Sequence, residues 1–549
     1  MSPEANRTRA ESDVLKVVLK IDPIAGTRLG IEGDHDGKLP PTDESFREEL
    51  LKNLERTSAF LIQSSSAENV DDYVDGQLAA NGCRSMQILN SALRPHEQSP
   101  DWYVESAMSS LYSLLMRADM HVEEKSERIR ERIASIPAHL NAGKLQINRP
   151  PSVLVETATG NIPGAIAFCQ DSLGDFIASL SSRAAQEELN RHRRACVDAL
   201  QDFGDYVTSL ESGSSDEFAI GKKAFDQLLA SYLVHDGSDE LFERGKNIVR
   251  DLEKELEKAS LKIADRPEWW LTLEALAANR PTRDSLLPEY EKMVEDARQF
   301  IEERKLVDLP LSGDLDILPT PSFARTNLAF AAYVAVPPLA KTGRAQFWVT
   351  PIAKDLSDTQ AEDALKQHHL GRILIASVHE AYPGHHVQFS HALKVARPLR
   401  HVFGSTVFFE GWGLYSEELM LREGFKNESP NFELLRMSQV RDQLWRALRV
   451  VLDVGLHCKA MSRAEATDLL VTKHVLDRKS AAAEVMYYCS APTQPMSYMV
   501  GKLLIDQLIE KCKATGQQRF RSLSQIHNQL LAHGGLPFPL LERVLRLAG

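Results

Sequence analysis

The chain has 549 residues, 43% hydrophobic and 26% charged, with a formal net charge of −13 at pH 7 and a pI of about 5.8. This is the composition of a globular protein long enough to bury a sizeable core, and its acidity argues against nucleic acid as the main partner, because phosphate binding needs a basic surface. The first residues contain no apolar signal-like stretch, and no segment offers about 18 uninterrupted apolar residues, so the sequence predicts a cytoplasmic protein with no membrane partner.

Residues 1–45 read as an irregular arm, broken by Gly30–Gly37 and by Pro40-Pro41. From Asp43 to about Lys144 the pattern is helical, with Phe46, Leu50, Leu51, Leu54 and Phe60 at helical spacing. Asn148-Arg149-Pro150-Pro151 breaks the run. A second helical stretch runs from Ser172 to about Tyr206, and Ser212–Asp216 reads as a polar loop. Leu241 to Phe300 is mostly helix with a charged, solvated face and a break at Arg280-Pro281. Leu309 to Pro351 is rich in Pro, Gly and β-formers, and Arg344–Thr350 reads as a strand. From Ser357 onward the chain is helical again. The expected fold is mainly α: an arm over 1–45, a helical half over 46–300, and a helical catalytic half over 301–549 with a small β or extended insert near 309–351. The six cysteines form no CxxC pair and read as small core residues.

Seven of the 17 histidines, His368, His369, His379, His385, His386, His391 and His401, lie within 34 residues. Leu370, Ile373, Leu374 and Val378 give the approach to His379 an apolar stripe, so His379 and Glu380 fall at the end of a buried helix, where an ionisable pair needs a reason to be present. In the zincin pattern HExxH, residues four apart share a helical face, so that two imidazoles meet one zinc and the Glu reaches its water. Here Pro383 stands where the second ligand would be. On an undisturbed helix His385 would lie about 120° off the face, and His386 would lie on it but roughly 10 Å along the axis. Pro383-Gly384 supplies a cause for a kink, and two inserted residues restore an i+4-like relation for His385. His385 is therefore favoured as second ligand, with His386 as the alternative or as a substrate-facing neighbour. Glu410, 25 residues beyond His385 at the start of an apolar helix, is the best third ligand, and Glu417, at i+7, is placed to support a ligand histidine. Arg446, Arg449 and Asp453 lie on one apolar helix at i, i+3 and i+7. They read as a structural ion pair or, more sharply, as a clamp for a substrate carboxylate, a part that Arg344 fits as well.

The run from His379 to Gln388, His-Glu-x-x-Pro-Gly-His-His-x-Gln, resembles the signature of the family catalogued as domain of unknown function 885, which is grouped with the gluzincin metallopeptidases. Further matches follow in order: Glu410–Tyr415, Trp445–His457, and Pro492–Tyr498 with Gly501-Lys502. Upstream, Pro337-Pro338 and Gly343-Arg344 with Phe347-Trp348-Val349 also fit, so the likeness covers about residues 325–515. The resemblance implies a mostly helical fold with a deep cleft, similar to angiotensin-converting enzyme and oligopeptidase-like gluzincins. It also implies one zinc held by His379, His385 or His386, and Glu410, with Glu380 as general base. Tyr498 and His457 follow the ligands in the order that related gluzincins use for oxyanion donors. The chain departs from the family at Pro492–Pro495, where Pro-Gly-Gln-Ala is usual, and at Tyr487, where Arg is common. Those departures bear on the substrate pocket more than on the metal.

The reading that follows is a zinc-dependent hydrolase of a peptide or related amide bond, in which Glu380 takes a proton from zinc-activated water and returns it to the leaving amine. A close competitor applies the same site to a non-peptide amide in a small metabolite or natural product. A helical di-iron oxygenase would need two Glu-x-x-His pairs, and the chain has one, Glu32 to His35, in a Gly/Asp-rich loop. A non-catalytic binding protein on a decayed scaffold would have lost Glu380 or Glu410, and both are present.

Overall fold

The computed structural model describes residues 3–64, 69–210, 217–310, 314–321, 325, 328, 330–340, 343–353 and 356–547. The expected polar loop over 212–216 lies outside them. Helices dominate, and the strands form a single three-stranded mixed sheet among the described residues. The chain divides into two compact units. One comprises 1–232 with 337–343 and 397–403; the other comprises 233–336, 344–396 and 404–549. The expected boundary at residue 300 is therefore displaced to residue 232. The charged helix Ser238–Ala264, assigned from sequence to the N-terminal half, packs on helix Phe432–Cys458, where Gly245 lies against Val450 and Val451.

In the first unit the expected irregular arm is largely helical. Helix Pro3–Ile21 buries Ala10, Val14 and Val18, four residues apart on one face, against Leu54, Leu61, Ala79, Cys83 and Leu399. A second helix, Pro23–Leu29, is started by the Asp22 side chain, which accepts from the Ile24 and Ala25 amides, and it is stopped at Gly30 in the left-handed region. The breakers after Gly30 are real, but the Val14-Val17-Val18-Ile21 stripe ahead of them outweighs their reach. The segment 397–403 is tied into this unit by ion pairs: Arg400 meets Asp75 at 2.8 Å and Asp71 at 2.7 Å, and Arg397 meets Asp75 at 2.5 Å. Cys169 and Cys196 are buried as free thiols.

The second unit contains the sheet, in the order β1 (Leu315–Pro319), β3 (Ala345–Val349), β2 (Ala331–Val334). Strand β3 is central and buried, parallel to β1 with Leu315 opposite Ala345, and antiparallel to β2 with Tyr333 opposite Phe347. Strand β2 is thus an edge, and its outward backbone groups are available to a neighbour. Helix Leu370–Glu380 packs against helices Leu286–Arg304 and Thr406–Arg422 and touches β2, while Thr406–Arg422 lies along Ser497–Ala514. These contacts set the positions of the ionisable residues in the functional region.

Candidate metal centre

Helix Leu370–Glu380 starts at His369, whose Nδ1 accepts from the Arg372 amide, and it buries Ile373, Leu374 and Val378 completely or nearly so. Each such side chain contributes about 1.5–3 kcal/mol. The helix ends at Glu380 instead of continuing through a kink, and a new helix, His385–Ala392, begins after four residues. The Ala381 and Tyr382 amides both donate to the Ser377 carbonyl, and the Gly384 amide donates back to the Val378 carbonyl at 3.0 Å. The Tyr382–Pro383 peptide bond is cis. The Pro383 carbonyl accepts from the Trp412 indole at 2.8 Å. Gly384 is required by proximity, since a Cβ there would stand 1.9 Å from the His379 carbonyl oxygen.

This turn brings two imidazoles and a carboxylate together. Nε2 of His379 and Nε2 of His385 each lie 3.7 Å from Oε2 of Glu410. One ligand atom from each of the three lies within 4.8 Å of the others. The opposite ring nitrogens are engaged elsewhere. Nδ1 of His379 is 2.8 Å from Oε1 of Glu417, and Nδ1 of His385 is 3.2 Å from Oε1 of Gln388. With each Nδ1 proton directed to its acceptor, release of the Nε2 proton would present a lone pair from each ring on the Glu410 side, as a metal ligand requires. Gly413, one turn beyond Glu410 on helix Thr406–Arg422, makes room for the ring: a Cβ there would sit 2.5 Å from Cε1 of His379. Burial favours the uncharged forms, yet Glu410 and Glu417 lift His379 to about 10, and the two histidines hold Glu410 well below the ordinary carboxylate range. The pocket thus carries a negative field that favours a cation.

The donor set fits zinc. Two nitrogens and one carboxylate oxygen around a common centre at about 2 Å would lie roughly 3.3 Å apart, a small contraction from the distances seen. Glu417 supports the same reading: it is fully buried, and its Oε2 has no hydrogen-bond partner among the described residues. A buried carboxylate with one oxygen unpaired is costly, and a cation behind His379 would offset part of that cost. A second trio, Glu44, His96 and Glu97, also comes together in the first unit, but Glu44 is exposed and Glu97 pairs with Arg94.

The other candidates separate into those near this cluster and those away from it. Glu380 follows His379 directly, and its Oε2 accepts the Tyr333 amide from edge strand β2 at 3.0 Å. Tyr498, at the start of helix Ser497–Ala514, has its ring 6.3 Å from the His379 ring, and burial, then Glu410, keeps its hydroxyl protonated. His386 turns away between Tyr333 and Tyr382, at 5.8 and 5.1 Å, and burial lowers it to about 4. His457 does not join the cluster as a donor: its buried Nε2 donates to the Tyr488 carbonyl at 3.0 Å. Arg344 is a surface residue making a bidentate pair with Asp316 at 2.9 and 2.7 Å, which ties the approach to β3 onto β1. His35, from the lone Glu-x-x-His, donates through Nε2 to the Ile31 carbonyl at 3.0 Å and joins no ligand cluster among the described residues.

Arg446, Arg449 and Asp453 do not form the ion pair that their spacing suggests. Arg449 is taken by the Tyr488 hydroxyl and Glu484, both at 3.0 Å. Asp453 accepts the Thr493 and Met496 amides at 3.1 and 3.3 Å, and so fixes the turn that delivers Tyr498. Burial raises the Asp453 carboxyl to about 8 against those two donors. Its unfolded value is about 4. Between about pH 4 and pH 8 the folded chain therefore keeps a proton that the unfolded chain has released, and stability falls as pH rises through that window. Asp453→Asn, which cannot ionise, is expected to flatten this decline in Tm. Equal declines in both proteins would rule out Asp453 as the source.

Sequence reasoning missed Tyr333 and Gln388. Tyr333 acts through its backbone amide, which carries no side-chain signal; Gln388 was visible only as part of the signature. The profile of the family described as "Bacterial protein of unknown function (DUF885)" matches residues 23–545. No curated protein matches the chain. Solved structures that share the fold include the following two. One is a candidate lipoprotein of unknown function from Shewanella oneidensis, with a TM-score of 0.80 and 21% identity over 98% of this chain and 99% of that one. The other is a candidate lipoprotein from Colwellia psychrerythraea, with a TM-score of 0.81 and 16% identity over 100% and 99%. The expectation of a cytoplasmic protein does not stand against these, since lipoproteins are held at a membrane. Among the described residues no helix is long and apolar enough to cross one.

Proposed function

Because the chain belongs to DUF885, a bacterial family of unknown function, its chemistry is to be read from the site, and we propose that it is a zinc-dependent, gluzincin-like hydrolase of a peptide or related amide bond. The observation that carries this reading is the convergence of His379, His385 and Glu410 beside Glu380. Those three residues would hold the ion. A zinc ion bound there supplies acidification of a water molecule and polarisation of the scissile carbonyl.

The remaining work falls to the chain itself. Glu380 is oriented by the Tyr333 amide on one oxygen, which leaves the other to take a proton from the attacking water and pass it to the leaving nitrogen. Tyr498, whose ring lies against His379, keeps a protonated hydroxyl and serves as a donor to the oxyanion that develops on the carbonyl. Glu417 and Gln388 hold the two imidazoles in the tautomer that presents Nε2. The substrate is a short peptide or a small amide-containing molecule.

The test is metal analysis of purified, zinc-loaded protein together with hydrolysis of a mixed peptide pool. About one zinc per chain is expected, with hydrolysis abolished by 1,10-phenanthroline and restored by added zinc. A protein that takes up no zinc, or whose turnover ignores the chelator, would sink the reading.

A further inference from the structure

On helix Phe432–Cys458, residues Asp442, Arg446, Arg449 and Asp453 share one face, because spacings of four, three and four keep them within a narrow sector. That face meets Tyr498: the guanidinium of Arg449 lies 4.8 Å from its ring centre and that of Arg446 5.9 Å. Tyr498 in turn lies against His379. The face is therefore one ring away from the proposed metal ligands.

Its charges do not balance. Arg372, Arg441 and Arg446 surround the single buried carboxylate of Asp442, which they hold well below its ordinary range despite burial. Arg449 has its own carboxylate in Glu484. Four guanidinium groups thus face two acidic partners. Arg441 takes the close position on Asp442, at 2.5 Å, and also donates to the Val475 carbonyl. Arg446 is left with contacts of 3.5 Å to the Asp442 carbonyl and 3.6 Å to Oδ2, both too long for strong hydrogen bonds. Its buried Nε has no hydrogen-bond partner among the described residues, and neither has Oδ2 of Asp442. Arg372 and Arg446 are the cations in this group with donors to spare, and of the two it is Arg446 that lies against Tyr498, stacked over Trp445 at 4.7 Å, which limits the directions in which it can point.

We infer that Arg446 receives the terminal carboxylate of the substrate, so that the protein acts near the free C-terminus of a short peptide. A carboxylate suits this position because a guanidinium offers paired donors in the geometry of its two oxygens. Arg449, engaged by Tyr488 and Glu484, packs over Tyr498 and shares the Trp445 ring with Arg446. This inference rests on the zinc-hydrolase reading and adds the substrate class to it.

The experiment compares two equimolar pools of tetrapeptides, identical except that one ends in a carboxylate and the other in a carboxamide. They are incubated with zinc-loaded wild type, Arg446→Gln and Arg446→Lys, and products are read by mass spectrometry. Wild type is expected to favour the acid pool by about 100-fold in kcat/KM, mostly through KM. Arg446→Gln should bring the acid-to-amide ratio close to one, and Arg446→Lys, which keeps the charge beside Asp442, should restore part of it. Zinc content should be the same in all three. Equal cleavage of the two pools by wild type, or equal losses on both pools in Arg446→Gln, would overturn the carboxylate assignment and leave the hydrolase reading standing. So would cleavage of neither pool by a zinc-loaded protein that hydrolyses other amides. Failure to hold zinc would overturn both.

Discussion

Replacing Glu380 by Gln is expected to lower kcat for amide hydrolysis by about two to four orders of magnitude, the usual range for loss of a general base, with zinc content unchanged. The substitution is close to isosteric. The carboxamide oxygen of the new side chain can still accept the Tyr333 amide that now holds Oε2 of Glu380 at 3.0 Å, so the edge strand and the helix end keep their register. What is lost is the ability to take a proton from water and return it to the leaving nitrogen. Because that exchange develops only on the way to the transition state, kcat and kcat/KM should fall together while KM changes little. Turnover of Glu380→Gln within a few-fold of wild type would remove Glu380 from the reaction. Loss of zinc from the variant would mean that Glu380 shapes the metal site instead.

The parts of this site that were legible in the sequence are those set by local spacing. His379-Glu380 after an apolar helical stripe, Pro383-Gly384 as an interruption, and Glu410 with Glu417 two turns later are patterns that a helix of 3.6 residues per turn makes readable. The form of the interruption was less so. Pro383 indicated a distorted helix, whereas the chain ends one helix at Glu380 and starts another at His385, with the amides of the gap returning to Ser377 and Val378. Contacts between distant segments left no such trace. Asp453 stands at the right distance from Arg449 to suggest a pair, but its partners are backbone amides 40 and 43 residues further on. Arg344 had the right chemistry for a clamp, and its pair with Asp316 on the neighbouring strand β1 was not readable from spacing. At the N-terminus the error ran the other way. The breakers between Gly30 and Pro41 drew attention from the Val14–Ile21 stripe, whose burial against Leu54 and Leu399 makes a helix of it.

The choice between the adjacent histidines gives the second large effect. His385→Ala is expected to weaken zinc binding by about three orders of magnitude or more, since it removes one of three protein ligands from a site whose total binding energy is on the order of 10 kcal/mol. His386→Ala should change zinc affinity by less than about tenfold, because its ring packs between Tyr333 and Tyr382 and lies outside the ligand trio. It should instead lower Tm, as a buried ring is replaced by a methyl group in a packed site. The two effects are separable by competition against a zinc-binding dye on protein that remains folded, read alongside thermal unfolding of the same samples. His385 also starts its helix with Nδ1 held by Gln388, so Gln388→Ala should shift zinc affinity in the same direction as His385→Ala but by only about 10–100-fold. Retention of tight zinc binding in His385→Ala with loss in His386→Ala would reverse the ligand assignment. It would require the helix start to rotate by one residue, bringing His386 rather than His385 to Glu410.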